Sequence, residues 1–398
     1  MKNRTSLTII FFTVFIDLLG FGLLIPILPT FASKELSISD FDIGIIVGIY
    51  SLMQFIFNPV LGSYSDRFGR RPIILISLLL NAASYIIFSF AHSMFLLLLS
   101  RVIAGFGGSN ISTAQAYIAD ITDTKNRSKG MGMIGAAFGL GFVFGPMMGG
   151  ILSSYGYEFV GYTAAVFSFI AFLFALFFLN ESHLNRNTER KKSNAIFSPN
   201  SIKEILVEKR LAFFILIYFI IIFSQANIYG TFALLGFKVY SFTNQQIGYL
   251  FGVIGIVGAI VQGGLLRQLS KRISNEKLVI IGIFFMMIGL TGLPYGINFL
   301  GVAIVGGLLS IGTGILQPTI LGLISNETSE EKQGRILGFN SSFGALARVL
   351  GPLWGGFAYE YLGYEFPFLT GGIFALFTLF ISFYFLNSNK YNYQKENV

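Results

Sequence analysis

Three charged side chains interrupt stretches of sequence that are otherwise apolar. Asp17 lies in the run 7–31, and Arg101 and Arg348 lie in two later runs. A helix of roughly 25 residues crosses a bilayer core of about 30 Å, so Asp17 falls near the middle of a membrane span. Inserting an unpaired carboxylate at that depth costs about 2.5–3.5 kcal/mol on insertion scales. Because the acid is so costly there, we expect it to have a function. We expect Asp17 to bind and release a proton.

The composition indicates a polytopic membrane protein. Of the 398 residues, 54% are hydrophobic and 12% are charged, whereas soluble domains have about 25% charged residues. The chain has no cysteine and only two histidines, so we expect no disulfide, metal site or cofactor. The net charge of +8 does not indicate a nucleic-acid partner, because most Lys and Arg lie in the termini and alternate loops. By the positive-inside rule, this distribution predicts a multi-pass protein of the cell (inner) membrane with both termini cytoplasmic.

The apolar runs predict twelve spanning helices. They lie at 7–31, 43–61, 72–90, 94–119, 130–153, 160–179, 211–236, 245–266, 278–297, 299–324, 336–358 and 365–386. We expect an N-terminal six-helix bundle at 1–180, a basic linker at 181–210 and a C-terminal six-helix bundle at 211–398.

An internal repeat supports this division. Gly145-Pro146-x-x-Gly149 in the fifth span returns about 200 residues later as Gly351-Pro352 with the same flanking glycines. Two halves repeated in the same orientation imply a pseudo-twofold axis along the membrane normal, with a substrate site between them. The predicted fold is an all-α polytopic membrane protein, with twelve transmembrane helices in two pseudo-symmetric six-helix bundles around a central cavity.

The loop between the second and third spans carries a dense motif of glycines and charges. Its members are Gly62, Asp66, Arg67, Gly69, Arg70 and Arg71. Glycine permits close approach and tight turns, and a carboxylate can cap a helix or pair with arginine. We expect this loop, with Asp120 at the end of the fourth span, to latch the cytoplasmic ends in one conformational state. The alternative is an ordinary basic loop.

This pattern resembles the loop signature of the major facilitator superfamily, Gly-x-x-x-Asp-Arg-x-Gly-Arg-Arg. The opening stretch, Asp17-x-x-Gly20 followed by Pro26-x-x-Pro29, resembles span one of the family's drug:proton antiporters, most closely the tetracycline exporters. Arg101 and the glycines that follow it resemble the family's span-four arginine motif, which implies a role in proton transfer. We expect Arg101 to reach a midplane carboxylate and tune Asp17; the alternative is a snorkelling arginine.

The fifth span carries small residues at three- and four-residue spacings. They are Gly135, Gly139, Gly145, Pro146 and Gly149. Such a face permits close helix contact, and the proline kinks the helix. The stretch resembles the motif associated with antiporters, which implies export rather than uptake.

Several polar residues inside the spans are candidates to line the substrate cavity. They are Arg348, Gln54, Asn110, Gln225, Asn227 and Gln317. Arg348 either faces the cavity and attracts anionic groups, which we favour, or pairs with Asp17 or a backbone carbonyl. For most of the amides, interhelical hydrogen bonding worth about 0.6 kcal/mol is the competing role.

Two departures from the tetracycline exporters bear on the substrate. Ser84 stands before Tyr85 where those exporters carry a carboxylate, and residues 278–297 contain no acid where they carry another. The resemblance therefore implies proton-coupled export of amphipathic organic compounds by alternating access, tetracycline-like or multidrug, without implying tetracycline itself. The alternative is a proton-coupled transporter of a specific metabolite, such as a sugar or an organic anion.

The expected partners are a small-molecule substrate, protons and the lipid bilayer. We expect no enzyme, because one would need His, Glu or Cys clustered at membrane depth. The resemblance implies a monomer.

Overall fold

The computed structural model describes residues 2–122, 124–182, 208–328 and 333–395, so most of the predicted linker lies outside it. The described residues form helices joined by short connections. The helices are α1 (Lys2–Leu24), α2 (Ile27–Lys34), α3 (Asp40–Phe68), α4 (Arg70–Ser89), α5 (Met94–Gly107), α6 (Asn110–Ile121), α7 (Thr124–Leu152), α8 (Tyr157–Phe178), α9 (Lys209–Leu234), α10 (Asn244–Ile260), α11 (Asn275–Gly292), α12 (Phe299–Asn326), α13 (Gln333–Tyr361) and α14 (Phe366–Lys395).

The helices have the length and composition of membrane spans. In the described part of the chain, eleven segments are long and apolar enough to cross a bilayer. The further long helix is α13, whose 29 residues are sufficient to span but include polar side chains such as Asn340 and Arg348. The predicted all-α membrane protein with twelve spanning helices is confirmed.

Two spans are broken near their polar residues. The first span divides into α1 and α2 at Pro26, which has no N–H group to continue the helix. The fourth divides into α5 and α6 at Gly108 and Ser109. The sequence predicted single helices at 7–31 and 94–119, and that continuity was wrong.

Packing divides the chain into two compact units. The first contains Met1–Lys192 and Tyr229–Gly255, and the second contains Ser193–Ile228 and Ile256–Val398. The division predicted from the sequence followed chain order, whereas the end of α9 and most of α10 pack with the first unit. The predicted boundaries of the bundles stay a prediction.

Within the first unit, glycines bring α1 and α7 into backbone contact. A Cβ atom added at Gly145 would lie 2.6 Å from the Cα of Gly22, and one at Gly149 would overlap the carbonyl oxygen of Leu23. Backbones can approach this closely only where both helices present small residues. The spacing of the glycines thus fixes how α7 lies against the helix that carries Asp17.

The second unit repeats this contact. A Cβ atom at Gly351 would lie 2.7 Å from the backbone nitrogen of Asn227, and one at Gly355 would overlap the same residue. Asn227 belongs to α9, the first long helix of the C-terminal half. The repeat in the sequence is therefore also a repeat in packing, since each Gly-Pro helix lies against the first helix of its own half.

Replacing Gly149 with Ala should destabilise the protein by about 1–3 kcal/mol, because the added methyl group displaces the backbone of α1 at Leu23. Gly135→Ala is the matched control on the same helix, since nothing lies within 4 Å of its added Cβ atom. Thermal unfolding in detergent measures both. Equal loss of stability in the two variants would contradict the packing described for α7.

Candidate functional site

Asp17 lies in a closed cage of neutral hydrogen-bond donors. Its side chain is buried, and each oxygen accepts two hydrogen bonds. Asn81 Nδ2 donates to both oxygens at 3.0 and 3.1 Å, Ser168 Oγ donates to Oδ1 at 3.0 Å, and Asn110 Nδ2 donates to Oδ2 at 3.2 Å. The carboxylate of α1 is thereby joined to α4, α6 and α8.

Two glycines allow these helices to come close enough. A Cβ atom at Gly20, one turn after Asp17, would lie 3.1 Å from the carbonyl oxygen of Ala164 and 3.5 Å from Ser168 Oγ. A Cβ atom at Gly107 would overlap Asn81 Oδ1. Gly20 therefore lets α8 pack close to α1, and Gly107 leaves room for the Asn81 amide that binds Asp17.

Arg101 is buried but does not pair with Asp17, so the contact expected from the sequence is not formed. Its Nε donates to Ser100 Oγ at 3.3 Å, and its guanidinium lies 5.8 Å from the centre of the Phe88 ring. Its Nη2 is buried without a hydrogen-bond partner. The neutral donors already satisfy the carboxylate of Asp17.

Three of the predicted cavity amides bind protein groups. Asn110 is part of the Asp17 cage. Gln54 Nε2 donates to Tyr50 Oη at 3.0 Å and to the carbonyl of Gly108 at 3.1 Å, where the fourth span is broken. Asn227 is fully buried and donates to the carbonyl of Pro367. Because it is closed off from solvent, Asn227 packs helices in this structure and does not line an open path.

The other three predicted cavity residues lie in the second unit, as Asn227 does. Gln317 Nε2 donates to Gln225 Oε1 at 2.7 Å, which joins α12 to α9. Arg348 lies half-buried at the middle of α13, close to Tyr218 of α9.

The predicted latch contains an ion cluster around Arg70. Its Nη1 lies 2.6 Å from Asp66 Oδ1 and donates to Ser65 Oγ, and its Nε donates to Asp120 Oδ2 at 3.1 Å. Ser182 Oγ donates to the same oxygen of Asp120. The cluster joins α3, α4, α6 and the segment after α8 within the first unit.

Glu181 is part of this region and was missed by the sequence reasoning. Its two oxygens accept the backbone N–H groups of Arg70 and Arg71 at 2.9 and 3.2 Å, at the first turn of α4. These N–H groups have no partner inside the helix, and a carboxylate also suits the positive end of the helix dipole. The signal available was Gly69 directly before the helix, because glycine has no side chain that could cap the first turn of α4.

The remaining latch residues have simpler surroundings. Gly69 has a φ of 105°, a left-handed conformation that favours glycine, and the Glu181 carboxylate lies against it. Arg71 Nη2 donates to the carbonyl of Leu176 at 2.6 Å. The Arg67 guanidinium lies over the Phe68 ring. A Cβ atom at Gly62 would meet nothing within 4 Å.

The second unit has an ion cluster of different construction at the corresponding helix ends. Arg210 Nη2 lies 3.3 Å from Glu276 Oε1, and its Nε lies 3.2 Å from Glu327 Oε1. Glu276 lies in the first turn of α11, and Glu327 directly follows α12. In the second unit the arginine lies at the start of α9 and binds acids at the ends of α11 and α12. In the first unit the arginine lies at the start of α4 and binds acids of α3 and α6.

The predicted antiporter glycines fall into two groups along α7. Gly145, Pro146 and Gly149 pack against neighbouring helices, and the carbonyl of Pro146 lies against Gly248 of α10. Gly135 and Gly139 face open space. Among the described residues, no group of three His, Asp or Glu side chains could hold a metal ion.

The sequence profile of the Major Facilitator Superfamily matches residues 10–307 and 268–397, which together cover nearly the whole chain. This chain belongs to the Major Facilitator Superfamily. It is therefore a multi-pass membrane protein of a family of transporters that carry small molecules.

Similar proteins include two resistance proteins and a transporter of known structure. Multidrug resistance protein 2 of Bacillus subtilis (strain 168) is 29% identical over 93% of this chain and 92% of its own length. Tetracycline resistance protein, class E, of Escherichia coli is 31% identical over 90% and 88%. The crystal structure of the human organic anion transporter MFSD10 (TETRAN) is 26% identical, covers 96% of this chain and 100% of that chain, and superimposes with a TM-score of 0.71.

Replacing Glu181 with Ala should destabilise the protein by about 1–2 kcal/mol, the usual cost of losing a helix cap. Glu181→Gln should cost less, because the amide oxygen can still accept one of the two N–H groups. Thermal unfolding and amide hydrogen exchange at the first turn of α4 measure the effect. Unchanged exchange there in Glu181→Ala would contradict the capping role.

Proposed function

We propose that this protein is a proton-coupled exporter of amphipathic organic compounds that works by alternating access, with Asp17 as the proton-binding group. The observation that carries the proposal is a buried carboxylate in a membrane-spanning helix, held by three neutral side chains. The names of the similar multidrug and tetracycline resistance proteins supply the class of substrate.

The Asp17 cage suits a group that gains and loses a proton. An ionised carboxylate only accepts hydrogen bonds, whereas a protonated one must also donate. The Asn81 and Asn110 amides and the Ser168 hydroxyl each contain both a donor and an acceptor, so reorientation lets them bind either form. A permanent cation such as arginine lacks an acceptor and would favour the ionised form alone.

A change in the hydrogen bonds of this cage would alter the contacts among four helices. Protonation of Asp17 breaks at least one of the hydrogen bonds that join α1 to α4, α6 and α8, and the new O–H group must find an acceptor. In the proposed cycle, Asp17 takes a proton from outside, and its neutral form permits the return to the inward-facing state. There the proton leaves and the organic compound binds.

Arg101 is proposed as the second member of the coupling machinery. A buried guanidinium with an unpaired Nη2 is costly, and an acid that moves towards it would relieve that cost. Rearrangement of the Asp17 cage would offer such a partner. Arg101 would then stabilise the conformation in which Asp17 has left its neutral donors.

The charged loop and its surroundings are proposed to control the predicted cytoplasmic end. The Arg70 cluster and the Glu181 cap hold the ends of four helical segments together, while Asp66 keeps an exposed carboxylate. We propose that Asp66 takes part in the latch when the conformation changes. Both termini on the cytoplasmic side and a monomeric state belong to this proposal.

Replacing Asp17 with Asn should abolish accumulation of amphipathic dyes driven by a pH gradient in proteoliposomes, because the amide cannot carry the proton. Counterflow exchange of the same dyes should continue, since it needs no net proton movement. Asp42→Asn is the control, because Asp42 lies at the start of α3, away from the cage. Gradient-driven accumulation by Asp17→Asn at the unmodified rate would refute the assignment.

Asn81→Ala and Gly107→Ala should each slow gradient-driven transport by about tenfold. Asn81→Ala removes a hydrogen-bond donor to Asp17, and the methyl group added in Gly107→Ala displaces the same amide. A hydrogen bond to a charged group contributes about 1.5 kcal/mol or more, which corresponds to a tenfold change in rate. The double variant should be no slower than either single variant, because the two changes remove one interaction. Gly132→Ala, whose added Cβ atom has open space, is the control. Additive losses would show that Gly107 acts elsewhere.

A further inference from the structure

Arg348 is a charge at membrane depth for which the described residues of its own unit supply no counter-charge. It lies at the middle of the 29-residue helix α13 and is half-buried. Among the described residues it forms neither an ion pair nor a hydrogen bond. An arginine at the centre of a spanning helix costs about 2.5–3.5 kcal/mol on insertion scales, so its retention points to a function.

The helices around Arg348 exclude an internal salt bridge. The sequences of α9 and α12 contain no Asp or Glu, and the acid of α13, Glu360, lies at the end of that helix. On α11 the acid is Glu276 in the first turn, where Arg210 binds it. A counter-charge for Arg348 at its own depth therefore has no source in the described helices of this unit.

Polar groups that can bind an anion lie on the same side of α13 as the arginine or beside it. A Cβ atom at Gly344, one turn before Arg348, would lie 3.7 Å from Arg348 Nη1 and 2.9 Å from the Tyr218 ring. The missing side chain at Gly344 thus leaves Tyr218 and the guanidinium beside one another. One turn further back, Asn340 is fully buried with neither amide atom hydrogen-bonded. These residues share one side of α13, because they are spaced by four.

The packing register places two more amides at a similar depth. α9 and α13 run side by side, with Gly344 against Tyr218 and Gly351 against Ala226. Arg348 therefore falls between these two contacts. The same stretch of α9 carries Gln225, which is hydrogen-bonded to Gln317 of α12. Arg348, Gln225 and Gln317 therefore lie in one polar layer of the second unit.

A group of aromatic rings adjoins this polar layer. The rings of Phe339 and Phe343 stack with centres 4.6 Å apart, and Phe343 meets Phe219 edge-on at 6.0 Å. Phe219 stacks in turn on Phe223. Phe343, Phe219 and Phe223 lie within two turns of Tyr218 or Arg348 along their helices. A ligand with an apolar ring and a charged end would find both of its parts accommodated here.

We propose that Arg348 and Tyr218 bind the acidic group of the transported molecule, so the substrates are aromatic organic anions, with a carboxylate as the simplest case. A guanidinium matches a carboxylate with two parallel hydrogen bonds, and the Tyr218 hydroxyl offers a further donor. The inference rests on the proposed function, since it names the substrate class of that transporter. It is independent of how Asp17 couples the proton.

The test is equilibrium dialysis of the full-length protein in nanodiscs against three probes that share one apolar body. They are biphenyl-4-carboxylate, biphenyl-4-methanol and biphenyl-4-methylammonium. The unmodified protein should bind the carboxylate at least about tenfold more tightly than the alcohol, the difference that one charge-assisted contact provides. No preference for the carboxylate, or no detectable binding of it, would overturn the proposal.

Arg348→Gln should remove that preference and leave binding of the alcohol unchanged, and Arg348→Lys should retain part of it. Arg267→Gln is the matched control, because it removes the same charge from an exposed position in the same unit. Equal weakening of all three probes in Arg348→Gln would assign the arginine a structural role and overturn the proposal.

Binding and proton coupling are separated by the Asp17→Asn variant. If this variant keeps the carboxylate preference, the anion site stands whatever the result for gradient-driven transport. If the unmodified protein transports the alcohol and the ammonium probe against a gradient but not the carboxylate, the proton-coupled exporter stands and the anion site fails.

Discussion

A charge inside a membrane has no water to stabilise it, and the first unit is arranged around that constraint. Asp17 is stabilised by Asn81, Asn110 and Ser168, which come from three other helices. These contacts require α1 to lie close to its neighbours, which the glycines at the helix contacts allow. The protonation state of Asp17 therefore depends on how the helices are packed, and that packing depends on the spacing of the glycines.

The two units use a common packing plan with different chemistry. Gly145 and Gly351 seat the Gly-Pro helix of each half against the first helix of that half. The first unit then buries an acid among neutral donors, whereas the described helices of the second unit place no acid beside Arg348. The ion clusters at the helix ends also differ, since Arg70 binds acids in one unit and Arg210 bridges acids in the other. The proposals assign the proton to the first unit and the substrate's charge to the second.

The sequence was sufficient for features that depend on one helix at a time. Hydropathy located the spans, and a lone acid in an apolar run singled out Asp17. Contacts between helices were harder to predict from the sequence, because they depend on how each helix is rotated and shifted against the next. Ser168 resembles any other serine in a span, and Glu181 is the first residue of the predicted linker. Arg101 lies too far from Asp17 to pair with it. The break in the fourth span at Gly108 was also not predicted, because two non-helical residues do not change the hydropathy of the span.

The most direct test of the account is the infrared difference spectrum of the protein in lipid on binding an exported compound. The account predicts that binding removes the C=O band of one protonated, buried carboxyl group, and that this change is missing from Asp17→Asn. A binding spectrum in which no carboxyl band changes, or in which Asp17→Asn retains the change, would contradict the claim that Asp17 exchanges its proton against substrate.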